Sequence, residues 1–164
     1  MTLAEVNALA APAFVARFGD VAEHSTWVAE RAETQRPFAN VDAMVAAFQA
    51  AIHDASEAER LRLIRAHPDL AGRAAMAEES RKEQAGAGLD RLSADEFARF
   101  TDLNSRYRER FGIPFILAVR GATRHQILDS FTARLGNDRD TELANALDQV
   151  CHIVGFRLAE WVAP

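Results

Sequence analysis

The chain has 164 residues, 49% of them hydrophobic and 26% charged, with a formal net charge of −5. That length suits one domain whose core folds without covalent staples, and the lone cysteine, Cys151, excludes an internal disulfide and fits a reducing compartment. An acidic balance with Lys82 as the single lysine argues against a nucleic-acid partner, and no apolar run reaches the roughly 18 residues of a membrane span.

Helical patterning runs from end to end. The start, Met1-Thr-Leu-Ala-Glu5, has neither the basic nor the apolar region of a signal peptide, and Trp161-Val-Ala-Pro164 carries no peroxisomal address, so the cytoplasm is the expected compartment. Short helices are expected over 3–9, 12–18 and 22–33, then a loop around Arg36-Pro37-Phe38. Next, Val41, Met44, Val45, Phe48 and Ile52 share one stripe behind Asn40 as N-cap. Ser56 and Glu59 form a capping box that opens a helix over 60–66.

That helix is expected to stop at His67, because Pro68 disfavours the helical conformation in the residue before it. Ser80, Glu83 and Gln84 then fall at i, i+3 and i+4, which puts a hydroxyl, a carboxylate and an amide on one helix face. A second capping box, Ser93 with Glu96, opens a helix through Phe97, Phe100, Leu103, Asn104, Tyr107 and Phe111, stopped by Gly112 and Pro114. Periodicity leaves the apolar run Phe115-Ile-Leu-Ala-Val119 open between strand and buried helix. Thr123 and Gln126 open a helix to Leu135, and Asp140 starts a last one through Leu143, Leu147, Val150, Val154, Leu158 and Trp161. The expected architecture is all-α: a single compact domain of about eight helices over residues 1–164.

Several chemistries are excluded by pattern. The five histidines form no HExxH pair, no Glu-x-x-His motif recurs, and one cysteine does not make a structural zinc site, so no metal is expected. Nor is there a Gly-rich phosphate loop, a G-x-S-x-G elbow or a cysteine nucleophile site. The arginines at 106, 108, 110 and 120 alternate with other residues and read as a solvated face.

What remains is open between structural and chemical roles. His67 is either a cap on the last turn of its helix, where the dipole favours imidazolium, or an acid–base group. Ser80 and Glu83 are either another capping box or part of a polar site, and the small residues Ala85 to Gly88 would let a ligand or a second chain approach closely. The run 115–119 is either a buried connector or a source of amides for an anionic ligand. Arg157 is either paired with an acid or a fork for a substrate carboxylate.

Taken together, His67-Pro-Asp-Leu-Ala71, Ser80-x-x-Glu83-Gln84-x-x-x-Gly88-Leu89, Leu103-Asn-x-x-Tyr107-x-x-x-Phe111-Gly-x-Pro-Phe115 and Arg120 resemble one family over nearly the whole chain. It is the OHCU decarboxylases, which act on 2-oxo-4-hydroxy-4-carboxy-5-ureidoimidazoline (OHCU) in urate catabolism. The resemblance implies an all-helical, cofactor-free homodimer that forms (S)-allantoin and CO2. By the same resemblance His67 matches the proton donor and Glu83 a polar group that binds the substrate ring and ureido arm. A carboxylate beside an imidazole also holds it in register and raises the fraction protonated, which makes Glu83 the second catalytic candidate. Pro68, Ser80, Gln84, the backbone of Phe115, Ile116, Leu117, Ala118 and Val119, and Arg157 match groups around the substrate. The rival readings are a helical binding module without chemistry, which predicts no turnover, and a related lyase for another cyclic ureide, which a substrate panel separates.

Overall fold

A computed structural model describes residues 1–72 and 78–164 of the chain, and these residues form nine α-helices and no strand. In chain order they are α1 (Leu3–Ala8), α2 (Ala11–Phe18), α3 (Trp27–Glu33), α4 (Val41–His53), α5 (Glu57–Ala66), α6 (Glu78–Gly86), α7 (Ala94–Phe111), α8 (Arg124–Arg134) and α9 (Arg139–Trp161). The all-α expectation holds, with nine helices where about eight were expected.

Most boundaries follow from local chemistry. The Asn40 side chain accepts from Ala43 N at 2.7 Å, and the capping boxes of Ser56, Ser93 and Thr123 are all formed. A further capping box, Thr2 with Glu5, opens α1. Such caps are worth about 1 kcal/mol each, because they satisfy amides that a helix start leaves without partners. Gly112 closes α7 in the left-handed region at φ 71°, a conformation that a Cβ makes costly.

Helix α5 begins at Glu57 and not at 60, directly after its cap, several ends shift by one residue, and two further starts differ for reasons in the surrounding structure. Residues 22–26 are not helical, and α3 begins only at Trp27. There the chain turns instead: Ser25 N donates to Ala22 O, Ser25 Oγ donates to Glu23 O, and His24 has φ 47°. That turn takes the Val21 carbonyl and the Glu23 carboxylate to a buried arginine, Arg157, which a continuous helix would not do. At the other end, α9 starts at Arg139, one residue before the expected Asp140, because Asp138 caps it by accepting from Thr141 N at 2.8 Å.

The chain divides into two compact units. The first comprises Met1–Ala66 and Val150–Pro164. Its core is aromatic, with Phe14, Phe18, Phe38 and Phe48 buried and Phe14 within 4.9 to 6.2 Å of the other three ring centroids. Its two ends meet where Leu3 N donates to Ala163 O and Ala163 N donates to Met1 O. The second unit is His67–Gln149, centred on Phe100, Tyr107, Phe111, Phe115 and Phe131. Phe115 and Phe131 stack with centroids 3.7 Å apart, and Tyr107 meets Phe115 edge-on at 5.2 Å. Rings in such arrangements add about 0.5–1.5 kcal/mol per pair beyond their area burial. No helix among the described residues is long and apolar enough to cross a membrane.

Candidate active site

The second unit opens on His67. Helix α5 ends at Ala66, as Pro68 requires, and His67 is 5% exposed. A buried imidazole just past a helix end is more enclosed than a surface cap needs to be. The loop that follows is tight: Gly72 N donates to Asp69 O at 3.3 Å, and Ala71 sits at φ 55°, a region that residues with a Cβ rarely adopt.

That conformation is held from outside by side chains of α6 and α7. Gln84 on α6 accepts from Ala71 N at 2.9 Å and donates to Asp69 O at 3.4 Å. Asn104 on α7 donates to Leu70 O at 2.8 Å, and Arg108 on α7 donates through Nε to both carboxylate oxygens of Asp69, at 3.0 and 3.2 Å. The Asn104 Oδ1 atom is buried and has no hydrogen-bond partner among the described residues. Arg108 and Asp69 are partly exposed, so their pairing contributes at most about 1 kcal/mol; the buried amides of Gln84 and Asn104 matter more.

On α6, Ser80 and Gln84 are buried and Glu83 is half-buried. Ser80 is the third residue of the helix, so it is not the N-cap and the capping-box reading of Ser80 with Glu83 does not apply. Gly88, at φ 80°, ends the helix in a Schellman-like turn in which Leu89 N donates to Gln84 O at 2.9 Å. Within the 67–88 stretch, Arg73 belongs to residues 73–77, outside the described residues.

The run 115–119 is neither strand nor helix. Phe115, Ile116 and Val119 are buried, whereas Leu117 and Ala118 are half-buried. Because no ladder satisfies this backbone, side chains do: Arg134 Nη1 donates to Ile116 O at 2.7 Å, and Ala118 N donates to Gln149 Oε1 at 2.9 Å. Glu142, fully buried, accepts from Arg134 Nε at 2.9 and 3.2 Å, from Tyr107 OH at 3.1 Å and from Asn145 Nδ2 at 2.8 Å. Burial is the main reason the Tyr107 phenol is held well above its ordinary range.

Arg157 lies in the first unit. Its guanidinium, 1% exposed, donates to Val21 O at 3.1 Å and to Glu23 at 3.3 Å. A groove of about 760 Å³ also lies in that unit, against α3 and α4, lined by Arg31, Thr34, Phe38, Ala43 and Ala47 among others. Among the described residues no histidine lines it, so its size does not make it the better candidate for acid–base chemistry.

The structure thus joins Gln84 to the loop that His67 begins, and adds Asn104, Arg108, Arg134, Glu142 and Gln149, which sequence reasoning did not weigh as site residues. Of these only Asn104 carried a signal, as a polar residue on the apolar stripe of α7. Among the described residues, no three His, Cys, Asp or Glu side chains gather as a metal site would require.

Comparison with known proteins is consistent over nearly the full chain. Residues 7–159 match the family model described as OHCU decarboxylase. A 2-oxo-4-hydroxy-4-carboxy-5-ureidoimidazoline decarboxylase of Haloferax volcanii is 46% identical over 160 residues, 98% of this chain and 95% of that protein. The uric acid degradation bifunctional protein of Bacillus sp. (strain TB-90) is 38% identical over 98% of this chain, which spans 32% of it. The crystal structure of (S)-allantoin synthase superposes with a TM-score of 0.82 at 30% identity, covering 99% of this chain and 54% of that one.

Proposed function

The chain belongs to the OHCU decarboxylase family, and from that premise we propose that it decarboxylates 2-oxo-4-hydroxy-4-carboxy-5-ureidoimidazoline to (S)-allantoin in urate breakdown without a cofactor. The observation that carries the reading is the Gln84 amide closed on Ala71 N and Asp69 O, which ties the polar face of α6 to the loop begun by a buried histidine. The family match crosses both units, which supports one functional domain over 1–164.

The chemistry needs little beyond position and proton transfer. When the bond from ring carbon to carboxylate breaks, CO2 leaves and the electron pair stays on the ring, where the adjacent imine and carbonyl system accepts it. The resulting carbanion equivalent must take up a proton on one face to give a single enantiomer. An imidazole serves as donor because it exchanges protons near neutral pH, and such positioned transfer typically supplies about 10²–10⁴ in rate.

In this reading His67 delivers the proton and Glu83 keeps imidazole and substrate in register. Ser80 and Gln84 bind the ring and the ureido arm, and Pro68 lines the same space. The backbone of Phe115, Ile116, Leu117, Ala118 and Val119 supplies donors to ring oxygens, fixed before the reaction begins. Ala118 N is already committed to Gln149, so the neighbouring amides carry this task. For Arg157, the buried contact with Glu23 favours a structural role over the substrate contact implied by the resemblance.

We also assign a homodimer and a cytoplasmic location, on the strength of the family resemblance. Light scattering checks the first: the expected mass is twice 18.1 kDa, and a monomer at micromolar concentration rejects it. The activity is tested by mixing the protein with freshly generated OHCU and following chiral allantoin by circular dichroism. Formation well above the spontaneous rate is expected; a rate equal to spontaneous decay rejects the function.

A further inference from the structure

We propose that Arg134 and Gln149 are positioning residues for this reaction: they clamp the 115–119 backbone at two points, Ile116 O and Ala118 N, so that its remaining amides, above all that of Leu117, meet the substrate. The inference rests on the proposed function, because it takes this segment as a substrate contact.

The segment has no regular structure to fix it, so its geometry is set by whatever its polar atoms bind. Ile116 O is taken by Arg134, Ala118 N by Gln149, and Val119 O by Ala122 N at 3.0 Å. Among the described residues no hydrogen bond engages the N–H of half-buried Leu117, whose neighbours on both sides are tied down. A donor fixed in this way suits a carbonyl or carboxylate oxygen of a small planar ring.

Arg134 is constrained far beyond what one backbone contact needs. Glu142 accepts from its Nε with both oxygens, and its Cζ lies 4.3 Å from the Phe115 ring centroid and 6.0 Å from that of Tyr107. Glu142 is in turn held by Tyr107 and Asn145. Stability alone is a poor reason to bury an ion pair, since apolar residues of similar volume often serve as well. A pair so fixed does hold the Ile116 carbonyl to one position.

Steady-state kinetics on OHCU test the inference, with melting temperatures for each variant. Gln149→Ala, at a half-buried position, is expected to raise KM about tenfold with kcat within about threefold, the pattern of lost ground-state binding. Gln149→Glu keeps an acceptor for Ala118 N and should return KM most of the way to wild type. Arg134→Lys should raise KM in the same manner, and its melt shows whether the protein is folded. An unchanged KM in folded Gln149→Ala, or a fall in kcat alone, overturns the inference. Failure of Gln149→Glu to rescue overturns it as well. Wild-type protein inert toward OHCU would instead remove the function on which it rests.

Discussion

Gln84 accepts a hydrogen bond from the amide of Ala71 at 2.9 Å, and this bond joins the residue in the left-handed conformation to the helix that carries the polar face. Replacing Gln84 by Ala leaves the Ala71 N–H without its partner and is expected to cost about 1–3 kcal/mol in urea denaturation. Gln84→Glu keeps the acceptor, loses the donor to Asp69 O, and should cost less. Equal losses in the two variants would mean that the Ala71 contact is not what matters.

His67→Ala should lower kcat by about 10²–10⁴ while far-UV helicity and melting temperature stay close to wild type. The comparison separates the two readings of this histidine. A variant that unfolds, or one that keeps near-wild-type turnover, would assign His67 to capping α5.

The buried contact of Arg157 with Glu23 makes a stability prediction in the first unit. Glu23→Ala strips a guanidinium that is 1% exposed of its carboxylate and should destabilise by about 3 kcal/mol. Arg157→Lys keeps the charge but not the fork to Val21 O and Glu23, so it should also destabilise. Full stability of Arg157→Lys with a large loss of turnover would return Arg157 to the substrate.

Acid sensitivity should carry a contribution from Glu59. Its hydrogen bond with Arg31, then that to Ser56 N, hold its pKa down to about 2, below the ordinary 4.5. A carboxylate whose folded pKa is depressed stabilises the fold above the unfolded value, and that contribution disappears as pH falls through the folded one. The difference in stability between wild type and Glu59→Gln should therefore be largest above about pH 4.5 and shrink toward pH 2. A difference that is constant over this window would dissociate Glu59 from acid unfolding.

Local chemistry was legible in the sequence wherever cause and effect lay within a few residues. Asn40, Ser56, Ser93 and Thr123 cap their helices, Pro68 ends α5 at Ala66, and Gly112 ends α7. What stayed hidden depends on partners far apart. Glu142 reads as one more acid in the first turn of a helix, yet it is fully buried by Arg134 and by Tyr107, 35 positions away. Gln149 looks like a solvated residue of α9 until its bond to Ala118 is seen. The false helix over 22–26 has a similar source, because the demand of Arg157 lies 134 positions from Glu23.

The anchors of the 69–71 loop all come later in the chain: Gln84 and Asn104 on its backbone and Arg108 on the Asp69 carboxylate act across 13, 34 and 39 positions. A polypeptide leaving the ribosome therefore has His67 long before it has the groups that hold the loop after it. Products of premature termination upstream of Gln84 would keep His67 and lose all three anchors. If His67 is the proton donor proposed above, only a chain extended past Arg108 has that loop fully braced for turnover.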